Sequence, residues 1–379
     1  MVKFVHTADW QLGKAARYLN GEARTRFSAA RLDVIDSIAE LVVGEGCDFA
    51  VVCGDVFESN HIDRQVLVRA LEKMRTAPQV AFYLLPGNHD PLDASSVFRS
   101  RTFVDNRPDN VTVLDGSTPV QAAPGVELIA APWFDKSPLT DLVDAACRKL
   151  EPASTRVLRI LIGHGAVDAI HPEANDPALI SLERLESIIG SGVIHYAALG
   201  DRHSTTDVGS TGRVWYSGAP EPTAHVETDP GNVLIVDVDW NHVHVDRRRV
   251  GTWRFERKAW ELSSSVDIAV LGDWLTALED KDRTIVRLEL SGQLSVAWKA
   301  RLDGLFAHNV DLFAALDVRG ESSSLVVIPD DADLNDFGLT GFAQQALSDL
   351  SGLAGSGGDR AAVAQDALAL LYRFAGGNK

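Results

Sequence analysis

The stretch Phe49–Asp55, FAVVCGD, decides the fold. It is an unbroken apolar run that ends in Gly-Asp, which is typical of a strand covered on both faces in a parallel sheet. Val2–His6 (VKFVH) and Val80–Asn88 (VAFYLLPGN) have the same character. Between these strands, Arg24–Val43 has apolar residues at helical spacing, and a second helix is predicted near Asp63–Arg75. The alternation predicts a layered α/β domain with helices outside the sheets.

The same pattern continues over the first 250 residues. Further strands are predicted at Glu127–Pro132, Val157–His164, Ile194–Asp201, Arg213–Gly218, Asn232–Trp240 and His242–Val250, with a helix near Leu139–Leu150. The last three strands are expected to close the edge of this first domain, with D-W-N-H (239–242) as a hairpin turn between the last two.

Three segments are predicted along the chain. Residues 1–255 form the large α/β domain, and residues 256–350 form a small α+β domain with alternating strand and helix patterns. Residues 351–379 combine a flexible linker, SGLAGSGGD at 351–359, with a short amphipathic terminal helix. Glycine and serine in such density are typical of a flexible connection.

Composition narrows the class of protein. The chain has 379 residues, 45% hydrophobic, and a net charge of −17, so its overall field does not favour nucleic acid and any DNA contact needs a local basic face or a basic partner. No apolar run reaches the roughly 18 residues of a membrane span, and the N-terminus lacks the apolar stretch of a signal peptide. Three scattered cysteines predict no disulfide or zinc framework. We therefore expect a cytoplasmic protein.

Polar side chains follow five of the predicted strands directly. They are Asp9 and Gln11, Asp55, Asn88 with His89 and Asp90, His164, and Asp201 with His203. Ligands in open α/β sheets bind beyond the carboxyl ends of the strands, and these residue types ligate divalent metals. Each residue alone is more typical of a turn or a helix cap, but the order of the whole set indicates one metal site.

These motifs resemble those of a known family. They read HTADWQLG (6–13), GDVFE (54–58), GNHD (87–90), GHG (163–165), LGDRH (199–203) and YSGAPE (216–221). The set is similar to the calcineurin-like metallophosphoesterases, and more closely to the SbcD-type DNA repair nucleases. The resemblance implies a four-layer αββα sandwich in which the small C-terminal α+β domain is a capping domain.

The resemblance also implies a site with two divalent metal ions. Asp55 would bridge them, one ion would also take Asp9, Gln11 and His203, and the other would also take Asn88, His164 and Asp201. His89 resembles the family's catalytic histidine, which protonates the leaving oxygen or stabilises its charge, and Asp90 would orient His89. A hydroxide activated by the two metals would attack phosphorus in line.

The implied function is metal-dependent hydrolysis of DNA phosphodiesters in repair. Exonuclease activity is expected first and endonuclease activity second. The implied partners are DNA, an SbcC-type coiled-coil ATPase for which the terminal helix is a candidate docking element, and a second copy of the chain. Two rival functions stay open, namely a phosphoesterase acting on cyclic nucleotides or phosphomonoesters, and a non-catalytic binding subunit.

The chain departs from the family pattern twice. Gln11 stands where the family has histidine in D-x-H, and Asp201 stands where it has the first histidine of G-H-x-H. Because carboxylate and amide oxygens are harder ligands than imidazole, the exchange favours Mn²⁺, or Mg²⁺, over Zn²⁺. Two interpretations follow: a retuned active site or a weakened site kept as a scaffold.

Basic residues near the first motif form a candidate phosphate-binding face. Lys14 and Arg17 belong to this cluster with Arg24, Arg26 and Arg31, although a solvated helix surface accounts for them equally well. Arg202 lies between two predicted ligands and is a candidate for contact with a substrate phosphate.

Overall fold

The chain divides into two compact units, Met1–Trp253 and Arg254–Lys379. The computed structural model describes residues 1–116, 118–154, 156–170, 176–318, 324–327, 341–354, 356 and 359–376. None of the described helices combines the length and the apolar character needed to cross a bilayer.

Twelve strands and five α-helices are described in the first unit. The strands are β1 (Val2–Thr7), β2 (Phe49–Cys53), β3 (Phe82–Leu85), β4 (Val111–Val113), β5 (Val120–Ala123), β6 (Val126–Ala130), β7 (Leu158–His164), β8 (Tyr196–Gly200), β9 (Thr206–Asp207), β10 (Val214–Tyr216), β11 (Asn232–Val238) and β12 (Val243–Arg249). The helices are α1 (Gly21–Gly44), α2 (Arg64–Arg75), α3 (Arg101–Asn106), α4 (Leu142–Cys147) and α5 (Leu182–Gly190).

Two six-stranded sheets organise these strands. The first has the order β12-β11-β1-β2-β3-β4, and the second has the order β5-β6-β7-β8-β10-β9. The central strands β1 to β4 are parallel, as are β6, β7, β8 and β10, so their carboxyl ends share one edge of each sheet. Strands β11 and β12 extend the first sheet in antiparallel pairing, as the strand patterns predict.

The sheets face one another and carry helices on their outer faces. Phe4 and Phe49 of the first sheet share a fully buried core with Tyr196 of the second, and the rings of Phe4 and Tyr196 lie 5.8 Å apart. Ile35 of α1 packs on the outer face of the first sheet and Leu185 of α5 on that of the second. Burial stabilises each such large side chain by roughly 1.5–3 kcal/mol. The predicted four-layer αββα sandwich is confirmed.

The second unit is a small parallel sheet with helices. Its described elements are β13 (Arg254–Leu262), α6 (Ser265–Ala277), β14 (Thr284–Leu294), α7 (Val296–Asn309), β15 (Ala315–Asp317), β16 (Ser324–Val327), α8 (Phe342–Ala354) and α9 (Asp359–Gly376). Every described strand pair is parallel, with α6 connecting β13 to β14 and α7 connecting β14 to β15. Parallel neighbours need such crossovers, so the unit alternates strands and helices more regularly than the expected α+β arrangement.

The C-terminal segment differs from its prediction. The first four residues of the predicted linker, 351–354, are the last turn of α8, and residues 355, 357 and 358 lie outside the described residues. The predicted terminal helix is present as α9, and its Leu368 is buried with Leu347 of α8 and Val296 of α7. Composition favoured a flexible linker, but Ala354 packs into this small core, while Leu353 is exposed.

Candidate metal centre

The polar side chains predicted as ligands come from the carboxyl ends of both sheets. Asp9 and Gln11 follow β1, Asp55 follows β2, and Asn88 follows β3 in the first sheet. In the second sheet His164 ends β7, and Asp201 and His203 follow β8. Because parallel strands end at one edge and the sheets are stacked, loops far apart in sequence meet here.

The backbone is strained where the ligands stand. Asp9, Gln11, Asp55 and Asp201 have φ values of 55°, 43°, 52° and 98°. Only one other non-glycine residue in the described part of the chain, Asp280, has positive φ. Such conformations cost about 1–3 kcal/mol each, persist only where the surroundings enforce them, and cluster at functional sites. The strained backbone thus distinguishes four of the predicted ligands from nearly all other described non-glycine residues.

Gly54 and Gly200 lie against the His164 ring and the Cys53 carbonyl, where no side chain fits. A Cβ on Gly54 would lie 2.1 Å from Nδ1 of His164, and one on Gly200 would lie 1.9 Å from the carbonyl oxygen of Cys53. Both distances are far below contact distance, so only glycine lets the strand ends approach His164 this closely.

Hydrogen bonds join the loops to one another. The amide nitrogen of Asp201 donates to both carboxylate oxygens of Asp9 at 3.2 and 3.1 Å, which links the two sheets. The amide nitrogen of His89 donates to Oδ1 of Asp55 at 2.9 Å, and that of Gln11 donates to the Asp55 carbonyl at 2.9 Å. The ligand positions are therefore fixed mutually.

The half of the site around His164, called the His164 half, gathers side-chain oxygens around Nε2 of this histidine. Nδ1 of His164 donates to the Cys53 carbonyl at 2.8 Å, so in the neutral ring Nε2 presents a lone pair. That lone pair faces Oδ1 of Asn88 at 2.9 Å, Oδ1 of Asp55 at 3.5 Å and Oδ1 of Asp201 at 3.9 Å. Turning the Asn88 amide would instead point its nitrogen at Asp55 and His164. With the Asn88 oxygen facing His164, a proton on Nε2 or a cation among these acceptors would relieve their repulsion, and with the amide turned its nitrogen pairs with them.

The half around His203, called the His203 half, is built differently. Nδ1 of His203 is 2.8 Å from both Oε1 of Glu227 and Oγ1 of Thr223, which leaves Nε2 to face Asp9 at 3.8 Å and the Gln11 amide nitrogen at 3.2 Å. Oε1 of Gln11 is buried and has no hydrogen-bond partner within the described ranges. A buried oxygen left unpaired costs about 1–3 kcal/mol, which a cation would relieve.

The charges support the same conclusion. Burial alone would lower the pKa of His164, but the carboxylates of Asp55, Asp9 and Asp201 outweigh it and raise the pKa to about 9. Burial raises the pKa of Asp9 above its ordinary value. Ligand atoms of Asp9, Asp55 and His164 all lie within 4.8 Å of one another. Oxygen and imidazole donors so arranged fit a divalent metal.

His89 lies beside this cluster with its ring 39% exposed. Its Nδ1 donates to the Glu58 carbonyl at 2.9 Å, and its Nε2 lies 3.9 Å from Oδ2 of Asp55. The structure therefore turns Nε2 towards the predicted metal ligands.

The orienting role expected of Asp90 is wrong. Its two carboxylate oxygens accept hydrogen bonds from the amides of Phe57 and Gly87 at 2.9 and 2.7 Å. Burial, with the nearby charge of Asp55, raises its pKa. Asp90 ties the second and third loops together, and the Glu58 carbonyl orients His89 instead.

The predicted basic face is divided between different roles. Nζ of Lys14 lies 3.6 Å from Oε2 of Glu58, on the side of His89, and the Arg17 side chain is exposed. Arg31 is buried, and its NH2 donates to the Pro222 carbonyl at 2.7 Å, so it supports loops and offers nothing to substrate. Arg202 donates from Nε to Oγ1 of Thr206 at 2.8 Å.

Sequence reasoning missed Glu227 and Thr223, which hold His203. Burial alone would raise the pKa of Glu227, but the hydrogen bonds from His203 and Thr223 outweigh this effect. The pKa of Glu227 therefore lies below its ordinary value. Oε2 of Glu227 also accepts from the Thr223 amide at 2.9 Å. Metal-binding histidines commonly donate to a carboxylate in this way. Glu227 is 24 residues from His203, and no motif spacing announces the contact.

A family model for the calcineurin-like phosphoesterases matches residues 2–246. The chain belongs to the calcineurin-like phosphoesterase family. Membership makes it a phosphoester hydrolase and implies divalent metals at the strand ends, where the ligand atoms of Asp9, Asp55 and His164 converge.

The chain is also similar to individual proteins of known name. It is 26% identical over 265 residues to the SbcD component of the nuclease SbcCD from Rhodobacter capsulatus, covering 60% of this chain and 64% of that protein. This similarity supports the predicted resemblance to the SbcD-type branch. Among solved structures, a dimetal phosphatase from Danio rerio matches with a TM-score of 0.41 and 15% identity, over 66% of this chain and 96% of that one. The purple acid phosphatase PPD1 of yellow lupin matches with a TM-score of 0.40 and 13% identity, over 66% and 51%.

Proposed function

We propose that this phosphoesterase hydrolyses DNA phosphodiesters as a metal-dependent exonuclease in repair, with endonuclease action as a secondary activity. The observation that carries the proposal is the buried acceptor cluster of Asp9, Asp55 and His164 at the strand ends. Similarity to a component of the SbcCD nuclease favours DNA as the substrate class.

We assign seven residues to two divalent ions. Asn88, His164 and Asp201 would hold one ion, Asp9, Gln11 and His203 would hold the other, and Asp55 would be shared. Oxygens outnumber imidazole nitrogens in this set, which favours Mn²⁺ and then Mg²⁺ over Zn²⁺. Bound ions would polarise the phosphate oxygens and lower the pKa of water.

The two departures from the family pattern support a retuned site. Gln11 keeps a strained backbone and a buried, unpaired amide oxygen, features that a decayed position would have no reason to keep. Asp201 is also held in the left-handed region and faces Nε2 of His164. Both residues therefore retain the conformation and the chemistry of ligands.

The remaining steps belong to side chains of this chain. His89, oriented by the Glu58 carbonyl, would donate a proton from Nε2 to the leaving oxygen or stabilise its charge. Glu227 would keep Nδ1 of His203 protonated, so that Nε2, which faces the Gln11 amide, is the nitrogen that would bind an ion. The hydrogen bonds from the Asp201 amide to the Asp9 carboxylate join the two sheets at the site.

Electrostatics bears on how DNA would be held. With a net charge of −17, the chain needs local cations, and we assign this role to Lys14, Arg17 and Arg202. We propose an SbcC-type ATPase as the partner that supplies further DNA contact. The terminal helix α9 remains a candidate docking element, and deleting residues 351–379 without loss of partner binding would remove it. Homodimer formation and cytoplasmic location stay predictions.

The net charge favours one alternative, a phosphoesterase for small substrates. Initial rates with Mn²⁺ on linear DNA, on a cyclic dinucleotide and on p-nitrophenyl phosphate separate the two functions. We expect hydrolysis of DNA to be fastest, and preference for either small substrate would contradict the proposal.

The variant His89→Asn tests whether the protein is an enzyme at all. It should reduce DNA hydrolysis by at least about 100-fold, the usual scale for a general acid. His61→Asn, an exposed histidine nearby in sequence, is the matched control and should match the parent. Equal activity of His89→Asn and the parent with every metal tried would favour a non-catalytic subunit.

A further inference from the structure

A pocket of about 400 Å³ opens beside the candidate metal centre. Asp201 and His203 line it and are also proposed ligands, so the pocket and the metal centre share a wall. Its volume falls at the lower end of the range for small-molecule sites, which is about 300–1,000 Å³. His89 is not among its lining residues, so the pocket opens away from the side on which the leaving group would depart.

The polar groups of the pocket wall are mostly engaged within the protein. The Tyr216 hydroxyl donates to the Gly165 carbonyl at 2.7 Å, and the Ser204 hydroxyl accepts from the Thr228 amide at 3.0 Å. Glu227 and Thr223 are bound to His203. The pocket therefore offers few free polar groups to a ligand.

Much of the remaining wall is apolar. Val167, Ile170, Ala224 and Val226 line it, and the Val226 side chain is 75% exposed at the rim. Among the described lining residues, the charged side chains other than His203 are Arg202 and the carboxylates of Asp201 and Glu227. A second phosphate group would meet those carboxylates with little compensation, so an uncharged ring is the occupant that this wall accepts.

We infer that this pocket binds the nucleoside attached to the scissile phosphate on its non-leaving side. The ring would contact Ile170, Ala224 and Val226, with the planar guanidinium of Arg202 available to stack on it. This inference rests on the proposed phosphodiesterase function, because it places the phosphate at the metal centre and the base beside it.

The test compares two esters with the same leaving group. One is the p-nitrophenyl ester of thymidine 5′-monophosphate, and the other is methyl p-nitrophenyl phosphate, which has no ring to place in the pocket. Val226→Trp and Ala224→Phe narrow the pocket from two positions. Each should lower the ratio of kcat/KM for the thymidine ester to kcat/KM for the methyl ester by about tenfold or more. Val104→Trp, at an exposed valine of α3, should leave the ratio unchanged.

A binding measurement separates failure of this inference from failure of the proposed function. Calorimetric titration of the Mn²⁺-loaded protein with thymidine 5′-monophosphate should give a Kd that both pocket variants weaken by about tenfold, with no change in Val104→Trp. If the parent hydrolyses neither these esters nor linear DNA, the proposed function is overturned and this titration decides the pocket alone. The pocket inference would be overturned if both variants had the ester ratio of the parent. If the parent is catalytically silent, the inference would be overturned by a Kd that neither variant changes, or by the absence of binding.

Discussion

The His164 half and the His203 half of the centre are held by different means. The His164 side chain is fully buried, and its Nδ1 donates to the backbone carbonyl of Cys53 at the end of β2. His203 is 23% exposed, and its Nδ1 donates to the side chains of Glu227 and Thr223. A backbone acceptor is as rigid as its strand, whereas a carboxylate acceptor adds charge and can be changed by one substitution.

The contrast between the two halves bears on the two departures from the family pattern. Of the two departures, Asp201 would supply an anionic oxygen to the rigid half, where it faces His164, while Gln11 would supply only a neutral amide to the exposed half, where it faces His203. We therefore expect two ions bound with unequal affinity, the tighter one at His164. Glu227 would partly compensate for Gln11, because a hydrogen-bonded carboxylate raises the basicity of a ligating imidazole.

The largest expected effect comes from Asp55→Asn, because Asp55 is the residue proposed to serve both halves. We expect DNA hydrolysis to fall by about 1,000-fold or more, since loss of one central charge-stabilising group acts on this scale. Calorimetric titration with Mn²⁺ should show weaker binding of both ions. Asp105→Asn, at an exposed position, should change neither quantity. Loss of only one ion class in Asp55→Asn would show that Asp55 is not shared.

The next effect tests the rigid half alone. The added methyl group in Gly200→Ala would lie 1.9 Å from the Cys53 carbonyl oxygen and 2.9 Å from Nδ1 of His164, so it must displace the histidine. We expect a loss of about 1–3 kcal/mol in the free energy of unfolding in urea and at least about 100-fold in rate.

Gly190→Ala is the matched control for that substitution. Gly190 ends α5 and has no atom within 4 Å of an added Cβ, so the change should be neutral or stabilising by less than about 1 kcal/mol. Equal behaviour of the two alanine variants would contradict the packing described around His164.

Glu227→Gln tests the exposed half. The amide keeps a hydrogen-bond acceptor for His203 but removes the charge. The Mn²⁺ ion that binds more weakly, at His203, should therefore lose about 10–100-fold in affinity, while the affinity of the ion at His164 stays unchanged. Calorimetric titration resolves the two classes, and Glu183→Gln, on the exposed side of α5, serves as the control. Equal weakening of both classes would mean that the halves are not independent.

The smallest expected effect is a change of metal preference in Gln11→His. A second imidazole in the exposed half should raise its preference for Zn²⁺ over Mn²⁺ by about tenfold. Competition titrations with the two ions measure this ratio. A ratio equal to that of the parent would indicate that the side chain at position 11 does not reach the ion.

The fold was largely predictable, because its central strands are buried on both faces and read as continuous apolar runs. Phe49–Cys53 and Leu158–His164 show this pattern plainly. The edge strands Val120–Ala123 and Thr206–Asp207 and the strand Arg254–Leu262 were missed, since each is partly exposed and lacks a continuous apolar run.

The site was predictable wherever a ligand directly follows a strand, as Asp55 and His164 do. Contacts made by residues distant in sequence were not. Asp90 stands next to His89 but turns its carboxylate to the amides of Phe57 and Gly87, and Glu227 approaches His203 only because the loop after β10 folds back. Neighbouring sequence positions do not determine side-chain direction in a loop.

Anomalous diffraction from crystals grown with Mn²⁺ tests the central claim most directly, because it locates ions without reference to activity. We predict two peaks at the carboxyl ends of the strands, one bonded to Nε2 of His164 and one to Nε2 of His203, with the Asp55 carboxylate between them. Peaks elsewhere, or none at these strand ends, would contradict the assignment of this centre.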